Sequence, residues 1–377
     1  MDANPQTQSA FITTLPREVR DAIYLELWRT SGLRQHILFH SYDSDWNARH
    51  FCRWACTTDF CVQSPLQQDI EQLRRDLDVP LGEDIEKNRD PRATLYGRRM
   101  QSPWLNHWAC GERAEKAHGF DAIMGFLTSR FCWKGKTVPG VEPEAVPNVY
   151  MPMLLSCKAI SAECLQSIYE STTFVFTDMK TVQMWFGYCA LPPFMQAWPK
   201  RGITPPAFYK HARSFELSLF PTFPLDLLCA TKDLPGLPTR HAIYDFHWLR
   251  LNRFEHLTNV NIWIESRSLM PLPEDALDFS GIKRFSREAL HEALACLSSV
   301  PSVTVSTALG PEIGPEDDGR VEHIAPPGVT LFKRSLGDRF HPYLNAIRPD
   351  KALDGVIHTC VQREVRLATE GGGIKLG

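Results

Sequence analysis

The sequence lacks the features that mark most secreted, membrane and nucleic-acid-binding proteins. It contains no Asn-x-Ser/Thr acceptor for N-glycosylation and no apolar run approaching the roughly 20 residues that a membrane-spanning helix needs. Its 41 basic and 44 acidic residues give a net charge of −3, which is too balanced for an electrostatic nucleic-acid or anionic-lipid surface. We therefore expect neither nucleic acid nor membrane among its partners.

The cysteines also lack the regular spacing of a disulfide-rich secreted domain. Their number is odd, at 11, and they are spread from Cys52 to Cys360. The N-terminal residues show no basic region followed by an apolar stretch, so no secretory signal is seen. We expect reduced thiols and an intracellular location, either cytoplasmic or nuclear.

Catalytic motifs are missing as well. Gly135-Lys136-Thr137 resembles the end of a phosphate-binding loop, but Arg130 replaces the glycine that such a loop requires. His291-Glu292 opens a metalloprotease-like pattern, but Ala295 stands where the second histidine ligand is needed. No Gly-x-Ser-x-Gly motif occurs. We predict a non-enzymatic protein without a cofactor, and an enzyme with an unrecognised site is the less favoured alternative.

What the sequence does contain is an alternation of strand-like and helix-like segments. Period-two patterns predict strands at Gln35 to Phe39, Thr173 to Thr177, Ser214 to Phe220, Asn259 to Glu265 and Ser302 to Leu309. Helical patterns lie between the later strands, around Ile243 to Phe254 and Ser286 to Leu297. Strands that alternate with helices predict a mixed α/β (α+β) fold with an open, mostly parallel sheet and packed helices.

Three regions are expected within a single structural domain. Residues 1–41 hold an N-terminal helix and the first strand, residues 42–149 form a long irregular insertion, and residues 150–377 form the strand and helix body. The insertion carries five tryptophans and ends in a Pro-rich linker from Val138 to Asn148. Because tryptophans are too apolar to leave in water, the insertion should pack on the body.

Two helices have clear apolar periodicity. The first begins at Leu15 and Pro16, repeats an apolar residue every fourth position and ends at Ser31-Gly32. The second runs from Met153 to Ile168.

These two helices carry a family resemblance. LPREVRDAIYLELW (Leu15 to Trp28) and LLSCKAISAECLQSIYESTTFVF (Leu154 to Phe176) resemble the paired signature of a large family of fungal proteins of unknown function. The N-terminal helix of that family is similar to an F-box. The chain departs from the pattern at Lys158, where arginine is usual, in its long insertion and in having one F-box-like helix instead of three.

The resemblance implies a protein-interaction module, and in its specific form an F-box-like substrate receptor of a ubiquitin ligase. An F-box offers aliphatic anchors to the Skp adaptor of a cullin-RING ligase. The anchors here would be Leu15, Pro16, Val19, Ile23 and Leu27. The alternative is a structural or scaffolding protein in which the same helix packs only in the core, against the helix around Cys157 and Leu165.

A group of thiol and imidazole side chains raises the question of zinc. The segment HFCRWACTTDFC contains His50, Cys52, Cys56 and Cys61, and a second pair would have to come from elsewhere, such as His107 with Cys110. No Cys-x-x-Cys pair is present. Because free cysteines usually pack as small hydrophobic residues, we favour buried thiols and predict no metal ligand.

The most distinctive part of the insertion is GRRMQSPWLNHWAC. Arginine and tryptophan are enriched in binding hot spots, so Arg98, Arg99, Trp104 and Trp108 form a candidate interaction surface. The favoured alternative is that this segment covers one edge or face of the sheet.

Overall fold

A computed structural model describes residues 9–40, 50–78, 90–100, 102, 104–119, 149–186, 204–219, 246, 249–264, 291, 294–307, 309 and 313–333. The strands in these residues form one open seven-stranded sheet in the order β2-β1-β3-β4-β5-β6-β7. They are β1 (Arg34–His40), β2 (His50–Ala55), β3 (Thr173–Phe176), β4 (Ser214–Leu219), β5 (Asn259–Ile264), β6 (Ser302–Thr307) and β7 (Val329–Lys333). The β1–β2 pair is antiparallel and all other neighbours are parallel. The predicted open, mostly parallel α/β fold is confirmed.

The described helices lie mainly before β4. They are α1 (Ala10–Thr14), α2 (Arg17–Ser31), α3 (Gln63–Asp76), α4 (Pro91–Met100), α5 (Trp108–His118), α6 (Tyr150–Leu154), α7 (Lys158–Ser171), α8 (Met179–Phe186) and α9 (Pro206–His211). Short 3₁₀ turns occur at Phe60–Val62, Leu105–His107, Leu251–Arg253 and Asp317–Gly319. Within the described residues, none of the helices has the length and apolar character needed to cross a membrane.

Helix α2 begins and ends where the sequence predicts. Pro16 occupies the N-cap, and Glu18 lies in the first turn, where a carboxylate interacts favourably with the helix dipole. Gly32 follows the last residue with φ of +83°, a backbone conformation that favours glycine, and its N–H donates to the Arg29 carbonyl. Capping chemistry therefore predicted both ends.

The single helix predicted from Met153 to Ile168 is wrong, since the chain breaks it into α6 and α7. Cys157 lies between them in an extended conformation, with φ of −160° and ψ of 164°, and its Sγ accepts a hydrogen bond from the Ile160 N–H at 3.5 Å. An N-cap residue of this kind starts a new helix with its own direction. Apolar periodicity continues across the break and does not reveal it.

The strand order explains why the sheet has two unlike faces. From β3 to β7 the chain order equals the order in the sheet, so every connection steps in the same direction. Right-handed crossovers that step in one direction all pass over the same face. Consistent with this, Phe208, Leu249 and Leu294 from three successive connections join Leu217 and Val305 of the strands in one buried apolar cluster.

The opposite face is polar at β4 and apolar at Leu38 of β1 and Val175 of β3, and residues 56–78 and 104–118 of the insertion supply its contacts there. Glu216 and Ser218 of β4 point to this face because side chains alternate along a strand, yet both are buried. Gln63 of α3 donates to Glu216 at 2.8 Å and accepts from the Ser218 hydroxyl at 3.3 Å. The insertion thus supplies polar partners for the polar side chains of β4.

Parts of the sequence predictions lie outside the described residues. The Pro-rich linker predicted from Val138 to Asn148 lies outside the described residues, which resume at Val149 just before α6. Of the two helical segments predicted between later strands, only residues 246, 249–254, 291 and 294–297 are described, and 251–253 form a 3₁₀ turn.

Candidate functional site

A cluster of imidazole and thiol side chains lies between the polar face of the sheet and the insertion. His36 belongs to β1, directly beside Val175 of β3, and points to the same face as Glu216 two strands further along. Cys56 follows the end of β2, where its N–H donates to the Arg34 carbonyl at 2.9 Å. The β1–β2 pair therefore brings His36 and Cys56 together.

The insertion contributes two more members of the cluster. His107 ends the 3₁₀ turn Leu105–His107, and Cys110 lies in the first turn of α5. The spacing His-x-x-Cys places the two side chains about one helical turn apart, on the same side of the chain. Both side chains are fully buried.

The four side chains approach one another closely. The ligand atoms of His36, Cys56, His107 and Cys110 all lie within 4.8 Å of one another. The Cys56 and Cys110 sulfurs are 4.0 Å apart, and Cys56 Sγ lies 3.4 Å from His107 Nδ1. The arrangement concentrates two sulfur and two imidazole donors in a site closed to solvent.

Glu216 organises the side of the cluster that faces β4. Its Oε1 lies 3.0 Å from His107 Nε2 and accepts from Gln63 Nε2 at 2.8 Å. Its Oε2 accepts from Arg34 Nη2 at 2.7 Å. The His107 ring therefore contacts the carboxylate through Nε2 and Cys56 through Nδ1.

Burial and hydrogen bonding shift the pKa values in the cluster. The hydrogen bond with Cys56, aided by His107 and His36, lowers the pKa of Cys110, and the same Cys56–Cys110 bond together with burial raises the pKa of Cys56. Burial lowers the pKa of His36, which keeps that imidazole neutral. Burial opposes a charge on Glu216, but His107 and Arg34 outweigh it and lower the pKa of the carboxyl.

The structure separates the cysteines that the sequence grouped. Of the segment from His50 to Cys61, only Cys56 belongs to the cluster. Cys52 lies on β2 with its sulfur 2.8 Å from His40 Nε2, and the His50 ring lies 5.5 Å from the His40 ring. Cys61 is exposed. The suggested second pair, His107 and Cys110, does join Cys56.

Sequence reasoning missed His36 altogether. The strand around it was recognised by its apolar residues Ile37 and Phe39, which face the other side of the sheet. His36 alternates with these apolar residues along the strand. Nothing in the local sequence indicates that it is buried, because the residues that cover it belong to a distant segment.

Of the five predicted adaptor-binding residues, two lie on the outer side of α2, two precede its first residue, and Leu27 packs against the buried cluster. Val19 is 42% exposed and Ile23 is 37% exposed, Pro16 is exposed, and Leu15 and Leu27 are half-buried. The inner side of the helix is aromatic, since Tyr24 and Trp28 are fully buried against α7.

The interaction surface predicted in the insertion is mostly interior. Trp104 and Trp108 are both buried, so they contribute packing and not surface. Arg99 lies over the Trp108 ring, 3.6 Å from its centroid, and pairs with Glu112 at 2.8 Å. Arg98 lies in α4, and its side chain is outside the described residues.

No protein-family model, curated protein or solved structure matches this chain. The resemblance to a fungal family therefore stays a prediction carried by the residues quoted for it. What the chain does must follow from its own side chains and their geometry.

Close packing around the cluster leads to a first prediction, at Gly111 of α5. A Cβ atom at this position would lie 2.6 Å from Cδ1 and 2.9 Å from Cγ of Trp104, whose side chain is fully buried. Alanine normally stabilises a helix relative to glycine by up to about 1 kcal/mol, but this clash should outweigh that gain. We expect Gly111→Ala to lower the free energy of unfolding by about 1–3 kcal/mol in urea denaturation.

Gly314→Ala is the matched control, because a Cβ there meets no atom within 4 Å. It should leave the free energy of unfolding within about 0.5 kcal/mol of wild type. A Gly111→Ala protein as stable as wild type would contradict the packing described here.

Proposed function

We propose that the chain is a non-enzymatic protein-interaction module in which α2 binds the Skp adaptor of a cullin-RING ubiquitin ligase. In this proposal the strands and loops of the body hold a target. The observation that carries it is the division of α2 into two faces. Tyr24 and Trp28 are 0% exposed, whereas Val19 and Ile23, which share the opposite side, are 42% and 37% exposed.

The inner face anchors α2 to the body. Arg20 donates to both carboxylate oxygens of Glu163 on α7, at 2.9 and 2.7 Å, and the Tyr24 hydroxyl donates to the same carboxylate at 3.0 Å. The Trp28 indole N–H donates to the Ser167 hydroxyl at 3.0 Å. A helix fixed in this way presents its outer residues without a large loss of conformational entropy on binding.

The outer face has the spacing that helix-groove recognition uses. Val19 and Ile23 lie four residues apart and form one row on the outer side of α2, while Leu15 precedes the helix in an extended conformation and Leu27 packs inward. Apolar side chains in a row are the anchors of such contacts, while the polar residues around them keep the free protein soluble.

The alternative, a scaffolding protein whose F-box-like helix is only core, draws support from the same helix. Leu27 packs against the buried cluster that contains Tyr24, Trp28, Tyr150 and Cys164. The two functions differ in the role they give to Val19 and Ile23. The scaffolding alternative gives their exposure no role, whereas an adaptor contact depends on it.

The adaptor proposal predicts the effect of charges on the outer face. We expect the purified wild-type chain to bind a purified fungal Skp adaptor, and the double variant Val19→Asp/Ile23→Asp to lose binding by roughly thirtyfold or more, as loss of a hot spot of about 2 kcal/mol implies. Isothermal titration calorimetry would measure both affinities. Because the changed side chains are exposed, the free energy of unfolding should stay near that of wild type.

Val62→Asp is the matched control. The exposed fraction of Val62, 38%, is nearly equal to that of Ile23, but Val62 lies in the 3₁₀ turn Phe60–Val62 and not in α2. Its replacement should leave adaptor affinity unchanged. If the wild-type chain binds no adaptor, or if the α2 double variant binds as well as wild type, the ligase proposal is rejected.

A further inference from the structure

We propose that His36, Cys56, His107 and Cys110 bind one Zn²⁺ ion in a tetrahedral structural site that fastens the insertion to the sheet. The ligands come from β1, from the end of β2 and from the segment that opens α5. The proposal is independent of adaptor binding, because no ligand lies on α2.

The distances suit tetrahedral coordination. Zinc–sulfur bonds of about 2.3 Å at the tetrahedral angle place two sulfurs about 3.8 Å apart, and a sulfur and a nitrogen about 3.6 Å apart. Here the Cys56 and Cys110 sulfurs are 4.0 Å apart, and Cys56 Sγ lies 3.4 Å from His107 Nδ1. Small shifts of the side chains would complete the site.

The donor atoms select zinc over the other common divalent ions. Two thiolates and two imidazoles form a set that tetrahedral Zn²⁺ prefers, whereas Ca²⁺ and Mg²⁺ need oxygen ligands. Glu216 does not supply such a ligand, since its oxygens already bind His107, Gln63 and Arg34.

His36 gives an independent reason to infer a ligand. Its side chain is 0% exposed, and neither Nδ1 nor Nε2 makes a hydrogen bond of good geometry, since its polar neighbour is the sulfur of Cys110. Its ring packs edge-on against Trp104 and His107, each with a centroid distance of 4.9 Å. A buried imidazole without a well-formed hydrogen bond is costly, and a metal ion bound to one of its nitrogens would remove part of that cost.

The surrounding groups match the outer shell of a zinc site. Glu216 holds His107 through Nε2, the arrangement of carboxylate, histidine and metal that fixes a ligand ring. The Cys110 sulfur accepts from the Thr57 N–H at 3.4 Å and lies 3.4 Å from the Thr58 hydroxyl. Hydrogen bonds of this kind stabilise a thiolate.

Charge balance also favours the ion. Two thiolates neutralise Zn²⁺, both imidazoles are neutral when they bind metal, and the Arg34–Glu216 pair is neutral by itself. The complete cluster would therefore bury no net charge. Because four protein ligands fill the coordination sphere and exclude solvent, the site is of the structural and not the catalytic type.

Metal content is the first test. The full chain should be produced in zinc-supplemented medium, purified without chelator in a phosphine reductant and measured by mass spectrometry of the metal. We expect about one equivalent of zinc. The Co²⁺-substituted protein should show the visible bands of tetrahedral cobalt and a thiolate-to-metal charge-transfer band.

Variants assign the ligands. Cys110→Ser and His36→Gln should each lower the affinity for Co²⁺ by at least about tenfold. Cys52→Ser, which removes a half-buried thiol outside the cluster, should leave it unchanged. If the ligand variants do not fold, X-ray absorption spectroscopy of the wild-type zinc protein would identify the ligand atoms. We expect two sulfur and two nitrogen neighbours around the zinc ion.

Three results would overturn the proposal. They are zinc content below about a tenth of an equivalent together with no Co²⁺ spectrum, a Cys56–Cys110 disulfide in the purified chain, and a coordination shell made of oxygen atoms. Each of these outcomes leaves the adaptor measurement unaffected, so the two proposals can fail separately.

Discussion

Replacement of Glu216 by alanine should lower the free energy of unfolding by about 3–5 kcal/mol, because it removes one member of a buried ionic network and leaves the rest. The carboxylate is 0% exposed and pairs with Arg34 at 2.7 Å. It also holds His107, which is equally buried, and Gln63 of α3. All three partners would lose a hydrogen bond, and two of them, His107 and Gln63, are fully buried.

The network joins three separate segments, which is why one substitution has a large effect. Arg34 belongs to β1, Gln63 to α3 and His107 to the turn before α5, and all three meet on the carboxylate of β4. Loss of Glu216 therefore weakens the contact between sheet and insertion as a whole. Urea denaturation followed by tryptophan fluorescence would report this loss, since Trp104 and Trp108 lie in the insertion.

Two further variants sharpen the experiment. Glu216→Gln keeps the shape and one carbonyl acceptor, so we expect a smaller loss of about 1–3 kcal/mol. Glu322→Ala removes a carboxylate whose side chain is 73% exposed, and it should change stability by less than about 0.5 kcal/mol. If Glu216→Ala were as mild as Glu322→Ala, the buried network would not contribute to stability.

Glu216 also shows where sequence patterns stop being informative. The alternation in SFELSLF predicted β4, and Phe215, Leu217 and Leu219 do lie in the apolar core. The pattern gave no indication that Glu216 and Ser218, on the other face, are buried as deeply. Burial there depends on residues distant in sequence, such as Gln63 and His107, and local periodicity contains no information about such contacts.

The same limit applies to the His and Cys cluster. Thiol and imidazole chemistry alone was enough to single out Cys56, His107 and Cys110, but it also brought in His50, Cys52 and Cys61. Choosing among them requires the β1–β2 pairing, and β2 was interpreted as part of the irregular insertion. By contrast, the ends of α2 were predictable because caps depend on adjacent residues only.

The interface of α2 with α7 carries the second large effect that we expect. Trp28→Ala should lower the free energy of unfolding by about 3–5 kcal/mol, as truncation of a buried tryptophan does elsewhere. The indole is fully buried, stacks on Tyr150 with a centroid distance of 5.0 Å, and donates to Ser167 at 3.0 Å. Alanine leaves a cavity and an unsatisfied hydroxyl in place of these contacts.

Trp28→Phe separates packing from hydrogen bonding, since it keeps an aromatic ring but removes the N–H donor. Its expected loss is about 1–3 kcal/mol, which is smaller than that of alanine. Equal losses for phenylalanine and alanine would mean that the stacking on Tyr150 contributes nothing, contrary to the geometry.

Comparison of Trp28→Ala with the outer-face variant also separates the two roles of α2. Trp28 lies on the inner face, so its loss should weaken adaptor binding only together with a fall in stability. Val19→Asp/Ile23→Asp changes exposed residues and should abolish binding without that fall. If both variants lost stability in parallel with binding, α2 would be a core helix and the scaffolding alternative would be favoured. Binding lost at unchanged stability would place the contact on the outer face itself.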